Sequence, residues 1–165
     1  HKAIRRQRQM CIRDRIIREM PKNMNEKEAV QYFLNWIKDN VEYDYSVYES
    51  SIEPYYDKLY ENEVYADVSN KGCILDKRGI CGGISIILSE LCNRVGITAY
   101  PVFGTIKSDG TLIPHGWVAM RVDDSTYYID PTYVCQTGEM DNLKMKNEME
   151  RIGDRQYQLE DSFEY

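Results

Sequence analysis

The sequence predicts an α+β fold in which a buried helix packs against an antiparallel β-sheet. Apolar residues recur at helical spacing between Ile84 and Val95, which is typical of a helix with one buried face. After Gly96 the apolar pattern changes from a period of about 3.6 residues to a period of two, which indicates strands. Turn signals at 108–110 and 123–126 divide this region into three segments. Three strands joined by short turns form an antiparallel meander.

The overall composition is that of a soluble globular protein and argues against several classes. The chain has 165 residues, of which 42% are hydrophobic and 29% are charged, enough for one domain with a substantial core. No apolar run approaches the roughly 20 residues that a membrane-spanning helix needs. The net charge of −6 argues against nucleic acid as a partner. We therefore expect neither a membrane span nor a nucleic-acid partner.

The cysteines and histidines do not form a metal-binding pattern. Five cysteines and two histidines are present, without the C-x-x-C pair of a zinc ribbon or a thioredoxin-like redox motif. The sequence therefore predicts no metal and no cofactor. Pairing of Cys73 with Cys135 in a disulfide is left open, because connectivity cannot be deduced from sequence alone.

The first fifteen residues differ in charge from the remainder of the chain. Residues 1–15 hold six basic side chains and one acidic one, which is typical of a basic interaction arm. The stretch RQRQMCIRDR, however, resembles translated sequencing adapter. We therefore expect 1–15 to be non-native or disordered and 16–165 to form a single domain. Because the first residue is His1 rather than Met, we interpret the chain as a fragment, and the missing signal peptide carries no information.

A helix and a tyrosine-rich stretch precede the buried helix. The sequence predicts a short helix over 16–24, which Pro21 interrupts. Asn25 is a favourable N-cap for a second helix over 26–40, which has an apolar stripe at helical spacing. The stretch 51–70 is irregular and rich in tyrosine, with short helical turns predicted at 54–61. Such tyrosines more often form a packed surface than a substrate platform.

Cys81 lies where the buried helix begins, directly after a glycine-rich turn. The motif GICGG at 79–83 opens this helix, and Gly96 is expected to be its left-handed C-terminal cap. Unpaired N–H groups and partial positive charge at a helix N-terminus stabilise a thiolate. A lone cysteine is nevertheless more often a small, packed core residue. Its position alone therefore does not establish reactivity.

The downstream strands bring a histidine near a carboxylate. Strands are predicted at 98–107, 112–122 and 127–130. A hairpin that turns at 123–126 places His115 close to Asp130, because residues of paired antiparallel strands lie opposite one another. Beyond the strands the chain is polar, with a short helix predicted near 140–151.

Cysteine, histidine and aspartate in this arrangement suit nucleophilic catalysis. A thiolate attacks, an imidazole takes and returns the proton, and a carboxylate orients the imidazole. If the buried helix packs on the sheet, Cys81, His115 and Asp130 meet. Each also has a structural interpretation: His115 as a hydrogen-bonded core residue, and Asp130 as a turn or cap residue before Pro131.

Four motifs in this order resemble the transglutaminase-like superfamily. They are GICGG at the start of the helix, GITAYPVFG after it, HGW at 115–117 and YYIDPTY at 127–133. The resemblance covers about 72–133, which we expect to be the core of the domain. It implies a papain-like α+β core, thioester chemistry at carboxamide groups and no metal. It also suggests a small bacterial member of the superfamily.

The resemblance implies a role for individual residues. Cys81 would be the nucleophile, His115 the general base and acid, and Asp130 the carboxylate that orients the imidazole. Trp117 would pack beneath the site. Many members use an upstream side chain as a second oxyanion donor. We consider Tyr43 and Tyr45 for that role.

The glycines of the motif and the helix start are also expected to take part. The backbone N–H of Cys81 is one oxyanion donor. Gly82, which has no side chain, lets a substrate carbonyl approach the start of the helix closely.

These inferences predict a cysteine enzyme that acts on a protein or peptide substrate. Hydrolysis, as in a protease or amidase, is favoured over amine crosslinking, and an extracellular or cell-surface location in a bacterium is favoured weakly. The alternative is a non-catalytic protein-binding module with the same fold. A cysteine phosphatase is disfavoured, because no Arg lies six residues after Cys73, Cys81 or Cys92. The oligomeric state is left open.

Overall fold

The computed structural model describes residues 2–45, 73–140, 144–145, 151–152 and 155–159. The longer helices in these ranges are α1 (Lys2–Glu19), α2 (Glu26–Asn40), α3 (Cys81–Arg94) and α4 (Pro131–Thr137), and a π-helical turn lies at 73–76. The strands are β1 (Glu42–Tyr43), β2 (Arg78–Gly79), β3 (Ala99–Ser108), β4 (Thr111–Val122), β5 (Ser125–Ile129), β6 (Lys144–Met145), β7 (Arg151–Ile152) and β8 (Arg155–Leu159). The tyrosine-rich stretch 51–70, with the helical turns predicted at 54–61, lies outside the described residues.

Helix α2 begins at a capping box and has the bounds that the sequence predicts. The Asn25 side chain accepts a hydrogen bond from the Glu28 N–H at 2.9 Å, and the Glu28 carboxylate accepts one from the Asn25 N–H at 2.8 Å. These bonds satisfy N–H groups that have no partner within the helix. The apolar stripe of the helix is buried in the core and comprises Ala29, Val30, Phe33, Leu34 and Ile37.

Helix α1 starts before the short helix predicted over 16–24 and ends within it. It contacts the last turn of α3 through an ion pair between Asp14 and Arg94, and its Ile16 is buried in the core. That residues 1–15 are non-native or disordered stays a prediction.

A short parallel strand pair connects the region after α2 with the region before α3. Tyr43 of β1 pairs with Gly79 of β2, and the Asp44 N–H donates a hydrogen bond to the Gly79 carbonyl at 2.9 Å. Gly79 lies two residues before Cys81. The pairing therefore fixes the backbone just upstream of α3.

The other six strands form an antiparallel sheet in the order β6-β5-β4-β3-β8-β7. Strands β3, β4 and β5 form the predicted meander, with Val102 opposite Trp117 and Val118 opposite Ile129. The two predicted turns contain residues with positive φ: Asp109, Gly110, Asp123 and Asp124. Such turns match the twist of the flanking strands.

The prediction of a helix near 140–151 is wrong for the residues of this stretch that the structure describes. Residues Lys144–Met145 form β6, which pairs with β5, and Arg151–Ile152 form β7, which pairs with β8. Open edges of the neighbouring strands supply hydrogen-bond partners for this polar segment. The partner of β6 is distant in sequence, since Lys144 pairs with Tyr128, so a local pattern does not reveal it, whereas β7 pairs with the adjacent strand β8.

Strand β8 lies along the outer edge of β3 and approaches it closely at Gly104. Ile106 of β3 pairs with Tyr157 of β8. A Cβ atom at Gly104 would lie 2.1 Å from the Gln158 carbonyl oxygen and 2.9 Å from the Trp117 ring. The absence of a side chain at Gly104 is therefore what lets β8 take its place in the sheet.

Two apolar clusters lie on opposite faces of the sheet. Val118 and Met120 of β4 pack in the cluster that includes α2 and α3, whereas Trp117 packs in the other, as the two-residue period of a strand requires. The smaller cluster consists of Val102, Ile106, Trp117, Tyr133 and Tyr157. In the part of the chain that the structure describes, no helix has the length and hydropathy that crossing a membrane requires.

Candidate active site

Cys81, His115 and Asp130 come together although they belong to three different elements. Cys81 is the first residue of α3, His115 lies in β4, and Asp130 is the N-cap of α4. Strand β5 ends at Ile129, opposite Val118 of β4. Because β5 stops there, the stretch of β4 that contains His115 has an open edge, where Cys81 and Asp130 reach it.

Hydrogen bonds join the three side chains in a row. His115 Nε2 lies 2.9 Å from Asp130 Oδ2. The Cys81 thiol interacts with the same imidazole through a hydrogen bond and charge that lower the pKa of the thiol. His115 and Asp130 are buried, at 7% and 0% exposure, whereas Cys81 is partly exposed. Cys81 is therefore the residue of the row that is most accessible from solvent.

The ionisation of Cys81 and His115 is coupled. Burial raises the pKa of the Cys81 thiol, but the hydrogen bond and positive charge of His115 and a hydrogen bond from the Gly116 backbone outweigh it, so this pKa lies below its ordinary value of 9.0. Burial lowers the pKa of His115, but the charge and hydrogen bond of Asp130 outweigh it and raise this pKa to about 10. A thiol pKa below the imidazole pKa favours a thiolate–imidazolium pair.

Asp130 is held by several groups besides His115. Its Oδ1 accepts a hydrogen bond from the Thr132 N–H at 2.9 Å, which caps α4. Its Oδ2 accepts from the Arg155 guanidinium at 3.0 Å and from the Tyr157 hydroxyl at 2.6 Å. Burial raises the pKa of Asp130, but the charge of His115 and the hydrogen bonds outweigh it and lower this pKa to about 2. The carboxylate is therefore ionised at neutral pH.

Sequence reasoning missed Arg155 and Tyr157. Their one local signal is spacing: they lie two residues apart in RQYQL, so their side chains share a face of the strand. Nothing in this pattern points to Asp130, because β8 pairs with β3 and β7 rather than with β5. The contact arises from the order of strands in the sheet.

Trp117 packs beside His115 in the smaller apolar cluster. Its ring is fully buried, and its plane is inclined by 21° to the His115 ring, with the centroids 6.2 Å apart. The Tyr157 ring meets Trp117 edge-on at a centroid distance of 5.2 Å. Among the residues that the structure describes, the Trp117 Nε1–H has no hydrogen-bond partner. Trp117 and Tyr157 therefore restrict movement of the imidazole on this side.

Gly82 lies against β4 next to Cys81. The Gly82 Cα is 3.6 Å from the position that a Cβ at Gly116 would occupy. A Cβ at Gly82 would lie 3.7 Å from the ring of Phe103, which is partly exposed beside both glycines. This close approach of two glycines brings the start of α3 near enough for the Gly116 backbone to hydrogen-bond Cys81.

Tyr43 and Tyr45 line a cavity of about 150 Å³ that also borders His115. Their rings pack edge to face with centroids 4.8 Å apart. The Tyr45 hydroxyl accepts a hydrogen bond from the Gln136 amide at 3.3 Å, and Arg155 forms part of the same wall. The two tyrosines thus lie on the His115 side of the site, and their use as oxyanion donors stays a prediction.

The other buried thiols differ from Cys81 in the direction of their pKa shift. Burial raises the pKa of Cys73, Cys92 and Cys135 to about 12. All five cysteines lie within the described ranges and are free thiols. Across those same ranges, no three His, Cys, Asp or Glu side chains are grouped so as to hold a metal ion.

Sequence comparison relates most of the chain to one family. A family model described as a transglutaminase-like domain matches residues 14–152. Curated proteins give no significant match.

Two solved structures are similar in fold. One is a TGase, with 22% identity and a TM-score of 0.55 over 67% of this chain and 27% of that one. The other is described as a candidate cysteine protease from Cytophaga hutchinsonii, with 19% identity and a TM-score of 0.52 over 83% of this chain and 41% of that one. The chain thus spans less than half the length of either protein.

These findings confirm the predicted fold class. A helix packed on a curled antiparallel sheet matches the papain-like and transglutaminase-like folds of both structures. The resemblance inferred from four short motifs extends, in the family match, well beyond the predicted core at 72–133. The chain belongs to the family of transglutaminase-like domains, whose members are generally cysteine enzymes.

Proposed function

We propose that the protein is a cysteine-dependent acyl-transfer enzyme that acts on protein or peptide amides through a thioester. In this proposal Cys81 is the nucleophile, His115 the general base and acid, and Asp130 the carboxylate that orients the imidazole. The observation that carries it is the row from the partly exposed residue Cys81, whose thiol interacts with His115, to the buried Asp130, which lies 2.9 Å from His115 Nε2. Such a row supplies a nucleophile, a proton carrier and an orienting group.

The first half of the reaction forms the thioester. The Cys81 thiolate attacks the carbonyl carbon of the amide, a C–S bond forms, and negative charge moves to the carbonyl oxygen. The backbone N–H of Cys81 at the start of α3 is a donor for that oxyanion. The His115 imidazolium then gives its proton to the amide nitrogen as the C–N bond breaks, and the amine leaves.

The second half releases the acyl group. A water molecule approaches the thioester, and His115, now neutral, takes one of its protons as the new C–O bond forms. Collapse of this intermediate breaks the C–S bond and yields a carboxylic acid together with the thiolate–imidazolium pair. Asp130 remains ionised throughout and stabilises the imidazolium at each stage.

Water rather than an amine is the favoured acceptor. A lysine amine is mostly protonated at neutral pH and must lose its proton before it can attack a thioester. Water needs no such prior step, because His115 takes its proton during the attack. We therefore propose protease or amidase activity ahead of crosslinking.

The test is an acyl-transfer assay with an unbiased substrate set. The protein is incubated with a peptide library, with and without a primary amine, and cleavage, deamidation and amine adducts are read by mass spectrometry. Cys81→Ala is expected to abolish every product. Cys11→Ser, a change at an exposed thiol, is the matched control and retains activity. Adducts in large excess over hydrolysis would overturn the preference for water.

Absence of product needs a second measurement to be decisive. The rate of Cys81 alkylation is followed against pH, since the thiolate is the reactive form. If Cys81 still reacts as a thiolate at a pH below the ordinary pKa of a thiol, the result supports the enzyme proposal and indicates that the library lacks the substrate. An ordinary thiol profile together with no product contradicts the proposal and favours a non-catalytic binding module.

A further inference from the structure

Strand β8 contributes two side chains to Asp130 that neither the motifs nor the proposed mechanism includes. The Tyr157 hydroxyl donates to Asp130 Oδ2 at 2.6 Å, and the Arg155 guanidinium donates to the same oxygen at 3.0 Å. His115 Nε2 lies 2.9 Å from that oxygen. One carboxylate oxygen thus binds three donors, and the strength of each contact depends on the other two.

Both side chains of β8 are themselves held in place. The Arg155 guanidinium lies over the Tyr133 ring, 5.0 Å from its centroid, and donates a second hydrogen bond to the Gln136 side chain. The Tyr157 ring packs edge-on against Trp117. Since each donor has a fixed direction, the Asp130 carboxylate has little freedom to rotate away from His115.

We propose that Tyr157 and Arg155 are positioning residues that act through Asp130: they fix its carboxylate against His115 and set how strongly it holds the imidazolium proton. The inference rests on the proposed function and extends it to a strand that lies outside the motif region. A carboxylate shared among three donors holds the imidazolium less tightly than one shared with His115 alone. The imidazolium is then a better acid toward the leaving amine.

The two residues affect the site in different ways because only one is charged. Within the part of the chain that the structure describes, the titratable and charged groups near His115 are Cys81 from α3, Asp130 before α4, and Tyr157 and Arg155 from β8. Tyr43 and Tyr45 border the same cavity, and Cys135 of α4 is affected by the charge of Asp130. Removing the Tyr157 hydroxyl leaves the net charge unchanged and frees Oδ2 for His115. Removing the Arg155 charge leaves the negative charge of Asp130 unopposed, and that charge raises the pKa of Cys81.

The experiment compares four variants of the full chain. Tyr157→Phe keeps the ring that packs on Trp117 and removes the hydroxyl. Arg155→Lys keeps the charge, and Arg155→Met removes it. Gln156→Ala, on the exposed face of the same strand, is the matched control. Each variant is first checked for folding by circular dichroism. Its kcat and KM are then measured with a peptide that the wild-type protein turns over in the library assay, and the rate of Cys81 alkylation is measured between pH 4 and pH 11.

The expected results separate positioning from general support of the fold. Tyr157→Phe lowers kcat about tenfold, which is the scale of one hydrogen bond to a charged group, and leaves KM nearly unchanged. It also moves the alkaline limb of the pH profile of kcat to higher pH. Arg155→Met also moves the onset of Cys81 alkylation to higher pH, and Arg155→Lys restores that onset. Gln156→Ala changes neither.

Three outcomes are decisive: the first two contradict the positioning role, and the third contradicts the proposed function. If Tyr157→Phe folds and leaves kcat within twofold of wild type with unchanged pH limbs, the positioning role is wrong. If Tyr157→Phe fails to fold, the comparison of Arg155→Lys with Arg155→Met tests the positioning role instead. The role is wrong if Cys81 alkylation begins at the same pH in these two variants. If wild-type Cys81 alkylates like an ordinary thiol and no product forms, the proposed function fails before the role of β8 is reached.

Discussion

At the scale of single residues, the protonation of Cys81 depends on its neighbours more than on solvent. Burial alone would keep the thiol neutral, as it does for Cys73 and Cys92. Cys81 differs because His115 shares a hydrogen bond with it and carries positive charge. The same helix start without His115 would therefore hold an unreactive thiol.

Replacing His115 by Gln is expected to suppress the reactivity of Cys81 at acidic pH. The substitution removes the largest influence that lowers the pKa of Cys81, so burial then raises that pKa. Each unit of increase lowers the thiolate fraction about tenfold. Iodoacetamide labelling at pH 6, resolved by peptide mass spectrometry, measures the change, with the exposed Cys11 as internal reference. Equal labelling of Cys81 in both proteins would contradict the coupling.

Asp130→Asn is expected to lower the free energy of unfolding by about 3 kcal/mol at pH 6. The substitution leaves the largely buried Arg155 cation without its partner, and breaking a buried pair on one side costs a few kcal/mol. Urea denaturation measures the difference between the two proteins. Asp124→Asn, at an exposed turn residue, is the control and is expected to change stability little.

The pH dependence of that difference follows from the two pKa shifts. The pKa of Asp130 falls from 3.8 to about 2, so its contribution is present above pH 3.8 and is lost as pH falls through about 2. The pKa of His115 rises from 6.5 to about 10, so its contribution is complete below pH 6.5 and is lost as pH rises through about 10. The difference between wild type and Asp130→Asn is therefore expected to be largest between pH 4 and pH 6.5. A difference that grows above pH 8 would refute this assignment.

At the scale of elements, local signals predicted α2, α3 and the meander because each carries its own evidence. Asn25 and Glu28 mark the start of α2 within three residues of each other. Gly96 ends α3 with φ of +90°, the left-handed conformation expected of a C-terminal cap. Strand β8 has no comparable signal, since its place is set by Gly104, which lies far away in sequence.

Gly104→Ala is expected to detach β8 from β3 and to destabilise the protein by about 2 kcal/mol or more. The added methyl group would lie 2.1 Å from the Gln158 carbonyl oxygen, and overpacking against backbone forces a shift. Hydrogen exchange of the β8 amides, together with urea denaturation, measures the effect. Lys107→Ala, at an exposed position of β3 that also pairs with β8, is the control. If the β8 amides of Gly104→Ala exchange as slowly as those of wild type, the prediction is wrong, and the chain accommodates the added methyl group beside the Gln158 carbonyl without loss of the strand.

At the scale of the whole molecule, the sequence predicted the part of the site that is compact in the chain. The start of a helix predicted the position of Cys81, and a hairpin predicted that His115 lies near Asp130. Short-range sequence patterns were therefore sufficient to predict that these three residues meet. Arg155 and Tyr157 reach Asp130 only because β8 is inserted beside β3, on the far side of the sheet from β5. Strand order is a property of the assembled sheet, and no local pattern encodes it.

Leu88→Ala tests whether α3 is central to the stability of the entire fold. Leu88 is fully buried in the cluster that α2, α3 and the sheet share. Truncating a buried leucine is expected to cost about 3 kcal/mol, because the cavity fills only partly. Leu112→Ala, at a residue 63% exposed, is the control and is expected to change stability by about 0.5 kcal/mol or less. Urea denaturation measures both, and equal midpoints would contradict a shared core.

The parallel pairing of β1 with β2 joins two segments that lie far apart in the sequence. Glu42 pairs with Arg78 and Tyr43 with Gly79, so the chain between them begins and ends at the same place. The entropy of closing such a loop grows slowly, by only about 0.6 kcal/mol for each doubling of its length. We therefore expect a change of length between Tyr43 and the buried Cys73 to cost little in loop entropy.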